Sequence, residues 1–315
     1  MAPKPPNVRR APAKPWRSSI MRSAWGPRHG SQAPKRSGRP GEAVAPLDTP
    51  TGSLSSDLAR RALAVNRAML ALGHECFDAD GATFVRDRDL PDIWEANHVT
   101  AVTSDSDETI DRLLARVERE FTGFGHRRFD LDFTTPPAFE ARLALTGSRT
   151  RESLVMLLEG DLRGRMATAD IRECAGAAAW AAFEALALDN WRESSQRQGL
   201  PGGDDVGERL ARVHRRRSPP AWYWLAWADG APRGYMASWE GVGGVGQVED
   251  LFVHPTARGR GLARALIGHG VAACRQRGAG PIVIVADVHD TPKDAYARMG
   301  FRPVAVMRSY LRWTP

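Results

Sequence analysis

Residues 248–263, VEDLFVHPTARGRGLA, constrain the chain more than any other stretch, because the apolar period changes within one short run. Residues 248–253 alternate as a strand, which sets Glu249, Leu251 and Val253 on one face and Asp250 on the other. His254-Pro255 breaks the strand, and a basic, glycine-bearing turn follows. From Leu262 the spacing is helical: Leu262, Ala263, Leu266, Ile267 and Cys274 fall four or seven apart. A strand that runs through such a turn into a helix leaves the N–H groups of the first helical turn free, at the positive end of the macrodipole. That is a site for a phosphate or pyrophosphate. Gly259 and Gly261 let the backbone approach the anion without a Cβ in the way. The stretch carries neither the G-x-G-x-x-G of a dinucleotide fingerprint nor the G-K-[ST] of a P-loop.

The chain's 315 residues are enough for two domains of ordinary size, and its net charge of +7 is unevenly spread. Residues 1–50 hold ten Lys and Arg against Glu42 and Asp48, a net of +8, so the remainder stands at −1. The same fifty residues carry 10 of the 22 prolines and few large apolar side chains. We expect residues 1–52 to be a disordered basic, proline-rich tail without the apolar core of a secretory signal, and nucleic acid to be a partner only through it. Three cysteines, Cys76, Cys174 and Cys274, lack metal-ligand or CxxC spacing, so neither zinc nor a disulfide framework is expected. No run of about 18 apolar residues marks a membrane span. A reducing, cytoplasmic setting fits.

Taken in order, the spacing predicts a helix over 58–72, a strand over 82–86 and a helix opening at 89–94. A helix over 107–121, a strand over 126–133, a helix from Pro136 to Gly147 and a strand over 154–158 follow. The plan then restarts: strand 169–173, helix 175–188, and a polar helix over 206–217 after Gly202-Gly203. The strands 222–227 and 235–239 form a hairpin around Asp229-Gly230. Last come the opening strand and its helix, a strand over 281–286, a helix over 292–299 and a strand over 303–312. Thr291-Pro292-Lys293-Asp294 has the residues of a capping box. Trp222, Trp224, Trp227, Tyr235 and Trp239 crowd the hairpin, where some are core and others are candidates for an acceptor pocket. Cys274 lies on the apolar stripe of its helix and is assigned to the core.

The pattern Arg258-x-x-Gly261-x-Ala263 resembles the acetyl-CoA signature of the GNAT (GCN5-related) N-acetyltransferases. The later Tyr296-Ala297-Arg298-Met299-Gly300-Phe301 resembles their Y-x-x-x-G-F, and the element order of the second half is theirs. The resemblance implies an α/β (α+β) GNAT fold, a mixed central sheet flanked by helices, with a catalytic domain over 165–315. Residues 53–164 are a partial echo without the Arg/Gly turn or the Tyr and Phe of the second motif, so they are read as a degenerate GNAT-like half lacking the CoA turn. Tandem GNAT proteins with one working half are similar in plan.

The same resemblance assigns roles. Arg258, Gly259, Arg260, Gly261, Leu262 and Ala263 would clamp the CoA pyrophosphate. Leu251, Phe252 and Val253 would pair with the pantetheine arm and offer an N–H to the thioester carbonyl. Tyr296 would protonate the departing thiolate, and Glu249 is the candidate base for the acceptor amine. His289 stands where an Asn is frequent in the family and is a candidate CoA contact. The function implied is an N-acetyltransferase that moves an acetyl group from acetyl-CoA to a primary amine by direct attack on the thioester, without metal. The alternative is a non-catalytic acyl-CoA-binding regulatory protein. The acceptor, acyl-chain length and oligomeric state are not written in the sequence.

Overall fold

The computed structural model describes residues 56–314. The basic tail expected over residues 1–52 lies outside the described residues. The first helix, α1 (Ser56–Ala71), turns Ala59, Ala62, Leu63, Val65 and Met69 inward at helical spacing. Strands β1 (Glu75–Ala79) and β2 (Ala82–Arg86) form a hairpin whose two-residue turn, Asp80-Gly81, has positive φ at both positions. No helix forms at 89–94. Turns run from Asp87 to Asn97, where the buried Asn97 amide donates to the carbonyls of Leu90 at 2.7 Å and Ile93 at 2.9 Å, while its oxygen accepts from the N–H of Asp87. The Leu90 and Ile93 carbonyls also accept the N–H groups of Ile93 and Ala96, so the backbone closes as successive three-residue turns pinned by the Asn97 side chain instead of a helix.

Strand β3 (His98–Thr100) leads to α2 (Asp107–Glu120), which is capped by Ser106 in a reciprocal box with Thr109. Strand β4 (His126–Leu131), helix α3 (Pro137–Ala144) and strand β5 (Arg149–Leu158) complete the first half. Strand β5 begins five residues before its expected start. In the second half, β6 (Asp170–Glu173) precedes α4 (Gly176–Gln198), which runs ten residues beyond its expected end to a left-handed Gly199. Helix α5 (Asp204–Arg216) and the hairpin β7 (Trp222–Ala228) and β8 (Ala231–Val242) follow. Then come β9 (Val245–Val253), α6 (Leu262–Gln276), β10 (Ile282–Asp287), α7 (Pro292–Arg298) and β11 (Arg302–Trp313).

The eleven strands among the described residues join one mixed sheet, in the order β1-β2-β3-β4-β11-β5-β10-β9-β8-β7-β6. Strand β5, from the first half of the sequence, lies antiparallel between β10 and β11 of the second. Strand β11, the last in the chain, pairs with β4 from Arg308↔Leu131 to Trp313↔His126. The stretches 53–164 and 165–315, read as separate domains, therefore share one sheet, and the pairing of β5 crosses the expected boundary. Helix α1 crosses it as well. Its Asn66 donates to Met307 Sδ at 3.2 Å and accepts from Gln247 at 2.8 Å, so it is buried on strands of the second half.

Apolar clusters lie on both faces of this sheet. Leu63 and Met69 of α1 and Phe183 of α4 pack with Tyr223, Tyr235 and Phe252, whereas Leu262, Leu266 and Val271 of α6 pack with Ile282 and Ile284. A third cluster lies around α2 and α3, and a fourth ties Leu90, Ile93 and Ala96 to Trp191, Val206 and Val213. That last cluster holds the 87–97 turns against α4 and α5, and so positions Trp94 and Glu95.

Candidate active site

Strands β9 and β10 run parallel but stay hydrogen-bonded only through Ile282↔Gly246 and Val283↔Gln247. Beyond these pairs they part, and a chamber of about 840 Å³ opens where they separate. It is lined by Glu249, Asp250 and Leu251 from β9 and by Ile284 to Asp287 from β10. Residues Arg149 to Ser153 of β5 line it too, as do Tyr296 and His289. The chamber exists because the sheet is mixed: a parallel pair that splays leaves two unpaired backbone edges facing each other.

On β9 the strand alternation fails. Between Ala237↔Glu249 and Tyr235↔Phe252 the register shifts by one residue, and Asp250 takes a left-handed conformation with φ +59°. This β-bulge places Glu249 and Asp250 together in the chamber, correcting the reading that set Asp250 on the opposite face. Phe252 turns into the core beside Tyr235, with ring centroids 5.7 Å apart. Leu251 and Val253 pack partly buried on the other core cluster.

The two carboxylates carry different charges. Asp250 Oδ2 accepts from His214 Nδ1 at 2.9 Å, Tyr223 OH at 3.1 Å and Arg217 Nη1 at 3.4 Å. Burial works against its charge, but these donors and the positive neighbours outweigh it, and the carboxyl is held well below the usual range. Glu249 is pushed the other way, up to about 8, by burial first and by the charge of Asp250 second; the hydrogen bond from Gln247 Nε2 at 3.0 Å opposes the rise. Where two acids share a bulge, one keeps the charge and the other the proton.

Tyr296, buried on α7, donates to none of the described residues. Its phenol is raised well above its ordinary value by burial, then by the charges of Glu249 and Asp290. His289 sits in the turn between β10 and α7, where its N–H donates to Asp287 Oδ1 at 2.8 Å; it lines the chamber. The capping box expected at Thr291 does not form. Thr291 is itself in the right-handed helical conformation, and Asp294 N–H donates to its backbone carbonyl at 3.1 Å rather than to its hydroxyl.

The turn after β9 forms a short 3-10 segment, Pro255–Ala257, and then reaches α6 through Gly259 and Gly261, with φ +76° and +83°. Gly261 is the N-cap of α6 and supplies no side-chain acceptor. The N–H groups of Gly259, Arg260, Gly261, Leu262 and Ala263 have no acceptor among the described residues. That is a row of donors at a helix start, with no Cβ at the two glycines. The arginine side chains are engaged elsewhere: Arg258 donates to Glu193 at 2.6 Å and to the Val253 carbonyl, and Arg260 forms a two-point pair with Asp229 at 2.5 and 3.1 Å. The backbone, rather than these side chains, is the free part of the turn. A Cβ on Gly261 would lie 2.9 Å from Ala167 Cβ, and φ would be unfavourable. Gly261→Ala is thus expected to cost about 1 kcal/mol or more of stability. It should also weaken CoA binding, as read by thermal melting and calorimetric titration; unchanged CoA affinity would remove this turn from the ligand site.

Of the aromatic residues on the β7–β8 hairpin, Tyr235 lines the chamber and accepts from Asn190 at 2.9 Å. Trp224 donates to Ser238, Trp239 is core, and Trp222 and Trp227 lie under the guanidinium groups of Arg277 and Arg172. Residues that sequence reading passed over line the chamber instead, Trp94, Glu95, Trp191, His214 and Arg217, together with Asp250, which it had set on the other face. The dense arginines and the turn signals around Pro91 gave no sign that these would meet. The first half thereby contributes one wall of the site. Cys274 is core, as its place on the stripe implied. Among the described residues no group of three or more His, Cys, Asp or Glu side chains could hold a metal ion, and no helix is long and apolar enough to cross a membrane.

Comparison with known proteins bears on the fold. Residues 179–301 match the profile of the Acetyltransferase (GNAT) family. Among solved structures, a GCN5-related N-acetyltransferase from Kribbella flavida superposes with a TM-score of 0.59 at 18% identity, covering 82% of this chain and 95% of its own. A functionally unknown conserved protein from Staphylococcus epidermidis gives 0.59 at 13%, covering 77% and 95%. A tandem GNAT protein from the clavulanic acid biosynthesis pathway gives 0.50 at 14%, covering 69% and 76%. At these identities the likeness speaks to the fold. No curated protein matches the chain.

Proposed function

We propose that this chain, whose residues 179–301 form a domain of the acetyltransferase (GNAT) family, transfers an acetyl group from acetyl-CoA to a primary amine by direct attack on the thioester. Acyl transfer is the chemistry of that family; the acetyl group, the amine and the residue roles are our reading. The observation that carries it is the meeting of Glu249 and Tyr296 in one chamber at the parting of β9 and β10.

The N–H groups of residues 259–263 fit the pyrophosphate, and the unpaired edge of β9 beyond Gln247 fits the pantetheine arm. An N–H among Leu251, Phe252 and Val253 would polarise the thioester carbonyl. Ionised Glu249 takes one proton from the acceptor ammonium, the freed amine attacks the carbonyl carbon, and the C–N bond forms as the C–S bond breaks; the second proton lost from the nitrogen ends on the departing thiolate, giving the amide and CoA thiol. Tyr296 donates a hydrogen bond to the leaving sulfur. The raised position of its phenol makes it a weaker acid than an ordinary tyrosine, so its contribution is a hydrogen bond, strengthened by the charge on the thiolate, that precedes any proton transfer. His289 lies against the chamber and is proposed as a CoA or acceptor contact.

The test is CoA release by the full chain with acetyl-CoA across a panel of primary amines. Release that depends on the amine supports the reading. Tight acetyl-CoA binding without release from any amine would favour the alternative, an acyl-CoA-binding regulatory protein.

A further inference from the structure

The bulge on β9 is built more elaborately than a base alone requires. Asp250 stays in a left-handed conformation although it is not glycine, and three side chains from α5, its C-terminal cap and β7 hold it there. All three converge on Oδ2. Among the described residues none donates to Oδ1, and the side chain is 14% exposed into the chamber. A carboxylate kept charged, with one oxygen fully engaged and the other free, is a receptor for a cation.

A second observation in the same corner points to a ligand. Arg217 is 1% exposed, lines the chamber, and donates from Nη1 to Asp250, yet its Nε and Nη2 have no hydrogen-bond partner. Glu95 forms a long ion pair with this edge, 3.8 Å from Nη2, outside hydrogen-bond distance. A buried guanidinium edge without an acceptor is costly. The edge is flat and two-pronged, a shape that an oxygen acceptor fills. Glu95 follows Trp94, whose ring packs 5.9 Å from Trp191 and 5.5 Å from Trp313, so an aromatic wall adjoins the polar corner.

We propose that the acceptor is a primary ammonium flanked by an oxygen acceptor and carried on an apolar body of about one ring. The ammonium docks on Asp250 Oδ1, the oxygen on the free edge of Arg217, and the body on Trp94 and Trp191. Amino-acid amides and 2-amino alcohols share this chemistry. Asp250 touches the substrate in this arrangement and Glu249, its neighbour on the bulge, receives the proton. The inference rests on the reading of the chamber as the amine site, and its test needs no turnover.

Equilibrium binding of phenylalanine amide, phenylalaninol, phenethylamine and 2-phenylethanol to the full chain is read by tryptophan fluorescence or calorimetry. The ammonium is expected to be worth at least about tenfold over the alcohol in 2-phenylethanol, and the added oxygen about tenfold over phenethylamine. Tighter binding of the amide than of phenylalaninol would assign the oxygen to a carbonyl, and the reverse order to a hydroxyl. In Asp250→Asn, where asparagine accepts the left-handed conformation readily, the melting temperature should fall because the buried Arg217 loses its charge partner, while in the folded protein acetyl-CoA affinity holds and the preference of phenethylamine over 2-phenylethanol falls to about one. A preference that survives Asp250→Asn, or a wild-type chain that binds amine and alcohol alike, overturns the docking. Equal affinity for phenethylamine and both oxygen-bearing amines overturns the role of Arg217. Absence of CoA release in the turnover assay, with these binding ratios intact, would instead count against the acetyltransferase reading alone.

Discussion

Glu249→Gln is expected to lower kcat by about 10²–10⁴-fold with little change in acetyl-CoA affinity, the range that a positioned general base contributes. The amide keeps the shape and the neighbour Gln247, so the loss reports the missing proton acceptor rather than a collapsed bulge. The pH dependence follows from the same group. With its carboxyl pushed up to about 8, Glu249 holds its proton at neutral pH and becomes a competent base as the pH rises through that value. The rate should climb with unit slope below about pH 8 and level above it. An acceptor that enters as an ammonium imposes a fall at its own pKa, so amines of different basicity should move the alkaline limb and leave the acid limb in place. Asp250→Asn removes the neighbouring negative charge that, after burial, does most to raise Glu249, and the acid limb should then move to lower pH. A wild-type profile without the acid limb, or wild-type kcat in Glu249→Gln, would remove Glu249 from the role of base.

How much of this site could be read from the chain depends on how local each signal is. The strand, turn and helix of 245–276 follow from neighbouring residues, because strand alternation, glycines in a turn and apolar residues four apart are all short-range patterns. The same locality produced the error at Asp250. A bulge is fixed by how β9 meets β8 across the sheet, and one inserted residue reverses the face of everything on one side of it. Trp94 and Glu95 were hidden for a related reason. The Asp89-Leu90-Pro91 sequence reads as a helix start, but the backbone closes in turns, with the buried Asn97 amide bonded to the same Leu90 and Ile93 carbonyls.

The pairing of β5 with β10 and β11 lies further still from local reading. Leu154 to Leu158 is recognisably a strand, but nothing within it names its partners, and Ile282↔Leu158 joins residues more than a hundred positions apart. One consequence reaches the site. Because β5 lies beside β10, residues Arg149 to Ser153 at its start line the chamber, and the first half takes part in the site although it has no CoA turn of its own. The aromatic hairpin shows the reverse case. Its density suggested a pocket, whereas Trp224 and Trp239 are consumed by packing between the sheet and its helices, and Tyr235 alone of the five lines the chamber.

Tyr296→Phe is expected to lower the rate of CoA release by about 10–10²-fold, the worth of one hydrogen bond to a charged atom, and to leave acetyl-CoA affinity unchanged. The ring stays packed, since Tyr296 is 7% exposed and its ring lies 6.3 Å from that of Phe301, so phenylalanine preserves the contacts and deletes only the hydroxyl. Burial and the nearby carboxyls keep the phenol protonated across the working pH range, so the donor is present wherever Glu249 is active as a base. The two substitutions therefore separate by pH. Glu249→Gln should abolish the acid limb near pH 8, while Tyr296→Phe should lower the whole profile and keep that limb, because the hydroxyl helps the leaving sulfur and takes no part in freeing the amine. The distinction sharpens with the leaving group. An acetyl thioester of a more acidic thiol needs less help as it departs, so the penalty of Tyr296→Phe should shrink on such a donor and that of Glu249→Gln should not. An unchanged rate of CoA release in Tyr296→Phe would refute the assignment of this hydroxyl to the departing thiolate.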